Sequence, residues 1–183
     1  MSRFGTISSA LFASFVTLSV AGCGEARRPD GGVGLLPEGA LAPEVSGVDQ
    51  NGNAVALGAL KGKPVVVYFY PADGTPGCTK EACAFRDVWK RYESAGVALL
   101  GVSTDDRASH QKFAQEHSLP FPLIDDSQRS WARAFGVSTT MGMVSRVTFL
   151  IGRDGRVAKL YRSVDAGVHA NQVLTDVASL ATQ

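Results

Sequence analysis

One segment, residues 65–87, constrains the fold more than any other part of the chain. It opens with a continuous β-branched and aromatic run from Val65 to Tyr70, which is typical of a strand buried on both faces of a sheet. Shortly afterwards Thr75 and Pro76 form the pattern of a helix N-cap followed by proline at the first helical position. A buried strand that leads directly into a helix is the building unit of α/β proteins. The sequence therefore predicts that class.

The rest of the chain continues this alternation. The first helix is expected to run from Thr75 to about Ala95, and Asn51-Gly52 marks a turn between two short strands. Two further core strands are predicted over 97–103 and 146–151, and a last hairpin strand over 156–162. Three more helices are predicted over 110–117, 128–135 and 171–181. This order predicts an α/β sandwich with a mixed central β-sheet flanked by helices.

The N-terminus differs in kind from the remainder. Arg3 precedes an apolar run from Leu11 to Ala21, which is shorter than the roughly 20 residues of a membrane-spanning helix and fits a secretory signal. Small residues and then Cys23 follow. This pattern resembles the lipobox of bacterial lipoproteins, whose cysteine becomes lipid-modified. An ordinary cleaved signal with an incidental cysteine is the alternative.

Composition then divides the chain. We expect a lipoprotein signal peptide over residues 1–22, a flexible tether rich in glycine and proline over 23–40, and one domain over 41–183. The 18 basic and 17 acidic side chains give a net charge of +1, which offers no electrostatic case for nucleic acid. The expected location is the bacterial cell envelope, with the domain anchored by lipid to the membrane on the extracytoplasmic, periplasmic side.

Cys78 occupies the most chemically informative position. With Thr75 as N-cap, it falls in the first helical turn, where free backbone N–H groups and the positive end of the helix dipole meet. Both features favour the thiolate, which is the reactive form of cysteine. Such a site also needs a cation, and Arg146 is a candidate because it opens a predicted core strand.

The remaining cysteines form a pair. If Cys23 carries lipid, Cys78 and Cys83 are left. A cysteine pair in an exported protein is either a structural disulfide or a redox site. Two residues five apart close too short a loop to stabilise the fold much, so the spacing favours redox chemistry.

The segment YFYPADGTPGCTKEACAFRD resembles the active-site motif of peroxiredoxins: a proline, three residues, a threonine, two residues and the peroxidatic cysteine. Here these positions are Pro71, Thr75 and Cys78. The resemblance is nearest to the peroxiredoxin Q or bacterioferritin comigratory protein subfamily. It extends over about residues 41–181 through VALLGVSTDD, HQKFAQEHSLPFPLIDD and RVTFLIGRDGRVAKLYR. It implies a thioredoxin-like fold and a thiol-dependent peroxidase for hydrogen peroxide and organic hydroperoxides.

The same resemblance implies the roles of five residues in the peroxide step. Cys78 is the nucleophile. The hydroxyl of Thr75 orients the peroxide and contacts the thiolate, and Pro71 shields the site from water. Arg146 polarises the peroxide and stabilises the developing charge, while Glu81 helps to hold the arginine. Donors aimed at oxygens that gain negative charge are what such a reaction needs, and no metal or organic cofactor is implied.

Cys83 matches the resolving cysteine of one peroxiredoxin Q subgroup. The resemblance implies that it converts the sulfenic acid of Cys78 into an intramolecular disulfide. It also implies a thioredoxin-type reductant, which for an exported protein would itself be exported, and a monomeric state. Residues five apart on a helix have Cα atoms roughly 8.6 Å apart, beyond the roughly 7 Å limit for a disulfide. The helix is therefore predicted to unwind locally during turnover.

Two alternatives remain at this point. The first is a membrane-tethered thiol–disulfide oxidoreductase, although such proteins usually carry a C-x-x-C spacing. The second is a Sco-like copper-binding protein, in which the cysteine pair and His169 would hold the metal. His169 is otherwise expected to be structural or capping, and His110 and His117 are expected on a solvated helix face.

Overall fold

The computed structural model describes Met1 and residues 27–180. The predicted signal peptide and the lipidation site at Cys23 lie outside the described residues. Within residues 27–180, no helix has the length and apolar content needed to cross a membrane.

The described residues form short strands and helices that alternate along the chain. The strands are β1 (Ser46–Val48), β2 (Ala54–Ala56), β3 (Val65–Phe69), β4 (Ala98–Ser103), β5 (Leu123–Asp125), β6 (Thr139–Thr140), β7 (Met143–Val144), β8 (Val147–Ile151) and β9 (Val157–Tyr161). The helices are α1 (Pro76–Asp87), α2 (Trp89–Ser94), α3 (Arg107–His117), α4 (Ser130–Phe135) and α5 (His169–Leu180).

Five strands build the central sheet, in the order β5-β4-β3-β8-β9. β3 pairs in parallel with β4 and antiparallel with β8, so the sheet is mixed, as predicted. At its carboxyl end, Phe69 of β3 lies opposite Val147 of β8. The loop that follows β3 and the residue that precedes β8 therefore meet at one edge of the sheet. Cys78 and Arg146 come together at that edge.

Two apolar cores cover the two faces of the sheet. Successive side chains of a strand point to opposite faces, and β3 shows this directly. Tyr68 packs in one core with Phe85 of α1 and Val173 of α5, whereas Phe69 packs in the other with Phe135 of α4. All five residues of β3 are buried, which explains why its sequence is continuously apolar.

The local structure differs from the sequence prediction in two places. The helix expected from Thr75 to Ala95 is interrupted at Val88, which lies between α1 and α2 with φ −107° and ψ 10°. This break lets each helix bury one aromatic ring, and the centroids of Phe85 and Tyr92 lie 5.8 Å apart. The short strands β5, β6 and β7 were not predicted.

The expected tether is partly packed on the domain. Leu36 is buried in the core beside α4, and its backbone N–H donates to the carbonyl of Phe135 at 2.9 Å. The N–H of Gly39 donates to the carbonyl of Val157 at 2.8 Å. The boundary expected at residue 41 is therefore too late, because an apolar side chain within the glycine-rich stretch gains stability by entering the core.

Candidate active site

Cys78 lies in the first turn of α1, as its spacing from Thr75 predicts. Thr75 is the N-cap, with extended backbone (φ −73°, ψ 145°), and Pro76 begins the helix. The carbonyl of Thr75 accepts the first helical bond from Thr79 N–H at 2.8 Å. The Cys78 thiol is free and only 1% exposed. A sulfur so placed faces the positive end of the helix with little water around it.

Arg146 supplies the cation that the sequence leaves as a candidate. Its Nη2 donates to Sγ of Cys78 at 3.1 Å. Arg146 directly precedes β8, and the pairing of β8 with β3 brings it beside the start of α1. The guanidinium also lies close to Gly77, where a Cβ would be 3.4 Å from Nη2, an ordinary van der Waals distance. The register of the sheet thus brings the sulfur and the cation into contact.

Glu81 binds the other side of the same guanidinium. Nη1 of Arg146 donates to Oε2 of Glu81, and this carboxylate is 0% exposed. Burial raises the pKa of Glu81 to about 7, although the charge of Arg146 opposes the rise. Its second oxygen, Oε1, has no hydrogen-bond partner within the described residues. The carboxyl group is therefore poised to exchange a proton near neutral pH.

The guanidinium of Arg146 is held in its charged form by these two neighbours. Its partial burial alone would lower its pKa, but the charge of Glu81 and the hydrogen bond to Cys78 reverse the direction, and the pKa of Arg146 is raised. A permanent cation with several directed donors can stabilise both a thiolate and an oxyanion that forms next to it.

Two predicted site residues sit on the loop between β3 and α1. Pro71 directly follows Tyr70 and is half-buried. The hydroxyl of Thr75 donates to the carbonyl of Ala72 at 3.1 Å and makes no cap bond to the helix. Within the described residues it also makes no hydrogen bond to Cys78, so the thiolate contact expected for Thr75 is not formed in this structure. The roles of both residues towards peroxide stay predictions.

Cys83 lies on the same helix as Cys78 and is also a free thiol. It is half-buried, whereas Cys78 is almost fully buried. Phe85, two residues further on, is a fully buried core residue. Both cysteines belong to the continuous helix α1, so the separation argued from helix geometry applies to them, and a disulfide needs part of the helix to open.

A polar network that the sequence analysis missed holds the loop before Cys78. Asp73 binds the hydroxyl of Tyr70 through Oδ1 at 2.8 Å and Nδ1 of His110 through Oδ2 at 2.8 Å. His110 is 0% exposed, so the expectation that it sits on a solvated helix face is wrong. The spacing of His110, Phe113 and Ala114, all buried on α3, is the signal that could have indicated burial.

The chain is similar to known proteins in both sequence and fold. The AhpC/TSA family model matches residues 39–160. The peroxiredoxin bcp of Coxiella burnetii is 39% identical over 143 residues, which cover 74% of this chain and 95% of that protein. The chain belongs to the AhpC/TSA family, in its peroxiredoxin Q/bacterioferritin comigratory protein branch. Chloroplastic peroxiredoxin Q of Oryza sativa is 42% identical over 132 residues, or 71% of this chain. The match spans only 61% of that plant relative's length.

Solved peroxiredoxin structures superpose on the same fold. Peroxidoxin BcpB of Mycobacterium tuberculosis has a TM-score of 0.74 at 35% identity, and the match covers 79% of this chain and 97% of that one. The bacterioferritin comigratory protein of Xanthomonas campestris, for which alkyl peroxide reduction activity is described, has a TM-score of 0.72 at 32% identity. That match covers 81% of this chain and 99% of the other. The predicted thioredoxin-like fold is confirmed.

In this peroxiredoxin His169 is a buried residue at the start of α5. Its Nε2 lies 2.9 Å from Oγ1 of Thr148, and burial lowers its pKa to about 4. His169 is thus engaged with β8. Within residues 27–180, no three His, Cys, Asp or Glu side chains cluster in a way that could hold a metal ion.

Proposed function

We propose that this protein is a thiol-dependent peroxidase that reduces hydrogen peroxide and organic hydroperoxides. The thiolate of Cys78 attacks one peroxide oxygen, the O–O bond breaks, and the departing alkoxide or hydroxide takes a proton to leave as an alcohol or water. Cys78 is oxidised to a sulfenic acid. The observation that carries the proposal is the contact between Sγ of Cys78 and Nη2 of Arg146, at 3.1 Å, in the first turn of α1.

The same guanidinium serves both ends of this step. It favours the thiolate before attack, and its donors lie where negative charge grows on the leaving oxygen. Glu81 binds the remaining nitrogen of the fork and orients it. The alkyl peroxide reduction described for the Xanthomonas protein, which shares the fold at 32% identity, supports the same chemistry here.

In the second step Cys83 resolves the sulfenic acid. Its thiolate attacks Sγ of Cys78, the sulfenic oxygen leaves as water after protonation, and an intramolecular disulfide forms. Two thiols of an external dithiol, of the thioredoxin type, then reduce that disulfide and become oxidised themselves. The helical position of both cysteines means that α1 opens between them in this step.

Peroxide consumption tests the proposal directly. Reduced protein, residues 27–183, is mixed with hydrogen peroxide or cumene hydroperoxide and a dithiol reductant. Cys78→Ser should abolish turnover, whereas Cys83→Ser should leave one oxidation of Cys78, trapped as a sulfenic acid by dimedone. Turnover that persists in Cys78→Ser would contradict the proposal. Stoichiometric Cu(I) binding without peroxide turnover would favour the copper-binding alternative instead.

We also propose that Cys23 is lipid-modified and anchors the domain to the periplasmic side of a bacterial membrane. The apolar run before Cys23 and the small residues that flank it support this location. Metabolic labelling of the full chain with an alkyne fatty acid, followed by membrane fractionation, tests it. Cys23→Ser should lose the label and the membrane association, and Cys83→Ser should retain both. Labelling that survives Cys23→Ser would contradict the anchor.

A further inference from the structure

His110 is held between two hydrogen-bond acceptors. Its Nδ1 lies 2.8 Å from Oδ2 of Asp73, and its Nε2 lies 3.1 Å from the carbonyl oxygen of Ile124. The hydroxyl of Tyr70 lies 3.4 Å from Nδ1 but donates its hydrogen bond to Oδ1 of Asp73. An ionised carboxylate and a peptide carbonyl can only accept hydrogen bonds. Both ring nitrogens therefore carry a proton, and His110 is an imidazolium.

The electrostatic surroundings agree with that charge. Burial alone would lower the pKa of His110, but the hydrogen bond and charge of Asp73 outweigh it, and the pKa is raised above 6.5. Two further acidic groups interact with the ring. Asp105, which follows β4, raises the pKa of His110, and hydrogen bonds from Ser127 and Arg107, with a smaller contribution from the charge of His110, lower the pKa of Asp125 against its burial. Within residues 27–180, His110 is the one cationic side chain that pairs with Asp73.

Asp73 connects this buried cation to the loop that carries the active site. Its Oδ2 also accepts from the hydroxyl of Ser109 at 2.8 Å, and its backbone N–H donates to Oδ2 of Asp105 at 3.0 Å. Ser103, the last residue of β4, donates to the same oxygen of Asp105 at 2.7 Å. Asp73 thus has four hydrogen-bond partners in the described part of the chain, which are Tyr70, His110, Ser109 and Asp105.

The position of Asp73 gives this fastening a consequence for the reaction. Asp73 stands in the middle of the loop from Pro71 to Thr75, two residues before the N-cap of α1 and five before Cys78. Within the loop, the hydroxyl of Thr75 also donates to the carbonyl of Ala72. If His110 loses its charge, the loop keeps this bond and the hydrogen bonds of Asp73 with Ser109 and Asp105, but it loses its ion pair with α3.

We propose that His110, as an imidazolium paired with Asp73, is a positioning residue that holds the loop from Pro71 to Thr75 in the geometry that peroxide reduction at Cys78 requires. The ion pair exists while His110 is protonated, and it is lost when His110 releases its proton as the pH rises. Peroxidase activity should therefore decline at alkaline pH, when His110 of α3 loses its proton. This inference rests on the proposed function.

Kinetics of His110→Asn test the role. Asparagine is neutral and smaller, but its amide can still donate a hydrogen bond to Asp73, so the variant removes the charge and keeps a donor. We expect kcat/KM for peroxide to fall by roughly 10- to 100-fold at a pH near 6.5, because small displacements of reacting groups have effects of that size. The kcat/KM for the dithiol reductant should stay within about twofold. His117→Asn, the same change on the same helix, is the matched control and should behave as the unsubstituted protein.

The pH profile separates positioning from general stability. In the unsubstituted protein, kcat/KM for peroxide should decline on the alkaline side as His110 loses its proton, and His110→Asn should lack that decline. If His110→Asn fails to fold, Asp73→Asn can be used instead, because it removes the negative charge of the ion pair. It should also lack the alkaline decline in kcat/KM for peroxide. An alkaline decline that persists in these variants would overturn the proposal.

Nitrogen-15 NMR of the unsubstituted protein gives a readout that does not depend on activity. We expect both ring nitrogens of His110 to carry protons at pH about 7 and to share the chemical shift range of an imidazolium. A neutral His110 in an active peroxidase would overturn this inference alone. An imidazolium in a protein that does not consume peroxide would overturn the proposed function, and with it the role of the pair.

Discussion

Nη2 of Arg146 lies 3.1 Å from Sγ of Cys78, while Nη1 of the same guanidinium binds the buried carboxylate of Glu81. One cation therefore serves two groups that would each be costly to ionise in the core without it. The three side chains come from the first two turns of α1 and from the residue before β8. Their meeting depends on the antiparallel pairing of β3 with β8.

Replacing Arg146 should slow the peroxide step far more than it affects the fold. Arg146→Met removes both the cation beside the sulfur and the donors for the leaving oxygen. We expect kcat/KM for peroxide to fall on the order of 10²- to 10³-fold, as for loss of one preorganised donor. Arg146→Lys should recover only part of the rate, because a lysine lacks the planar fork.

A matched control for this change is Arg153→Met. Arg153 lies beyond the far end of β8 and bonds the carbonyl of Gly62 at 3.1 Å. Stopped-flow peroxide oxidation of both variants makes the comparison. Equal rates for Arg146→Met and Arg153→Met would contradict the assigned role of Arg146.

Glu81 should make the protein less stable as the pH rises from about 4.5 to about 7. The pKa of Glu81 is raised from 4.5 to about 7 on folding, so in this window the folded state binds more protons than the unfolded state. The shift corresponds to at most about 3 kcal/mol. In urea unfolding across this range, the free energy of unfolding of the unsubstituted protein should fall relative to that of Glu81→Gln as the pH rises. The difference between the two proteins is the readout, because His169 contributes with the opposite sign in an overlapping pH window. Parallel curves would contradict the raised pKa.

His169 should act in the opposite direction. Its pKa is lowered from 6.5 to about 4 by burial, so the unfolded state binds more protons between these values. Stability from this residue is fully present above pH 6.5 and is lost as the pH falls towards 4. The loss is at most about 3 kcal/mol. Thermal unfolding of His169→Gln should show a weaker acid destabilisation than the unsubstituted protein, and an unchanged acid limb would count against this assignment.

Part of the site was predictable from local sequence. The buried run of β3 and the proline after Thr75 specify a strand that leads into a helix, and Cys78 falls in the first turn as expected. These features depend on backbone preferences of a few neighbouring residues. The sequence offered Arg146 only as a candidate cation for Cys78, because Arg146 opens a predicted core strand. The register of β3 with β8 brings the two residues into contact.

Other features needed the tertiary structure. His110 was expected on a solvated face because α3 is largely polar, and its spacing from Phe113 and Ala114 was the one local sign of burial. Burial arises because α3 lies against β5 and because Asp73, distant in sequence, supplies the counter-charge. Leu36 lies in a glycine- and proline-rich stretch that predicts a tether. Its burial depends on tertiary contacts, such as the backbone hydrogen bond with Phe135.

Oxidation should loosen the middle of α1. The Cα atoms of Cys78 and Cys83 lie roughly 8.6 Å apart in a regular helix, beyond the roughly 7 Å that a disulfide spans. Hydrogen exchange over residues 76–86 should therefore be slow in the reduced protein and fast in the oxidised one. Helix α3 should keep equal protection in both states as an internal reference, and equal protection of α1 in both states would contradict the resolving role of Cys83.

Activation of the Cys78 thiol can be measured by its rate of reaction with hydrogen peroxide. Single-turnover oxidation of the reduced protein can be followed by stopped-flow tryptophan fluorescence, with free cysteine and Cys78→Ser as references. We expect a second-order rate constant orders of magnitude above that of free cysteine, and no oxidation phase in Cys78→Ser. A rate equal to that of free cysteine would contradict the activation of Cys78.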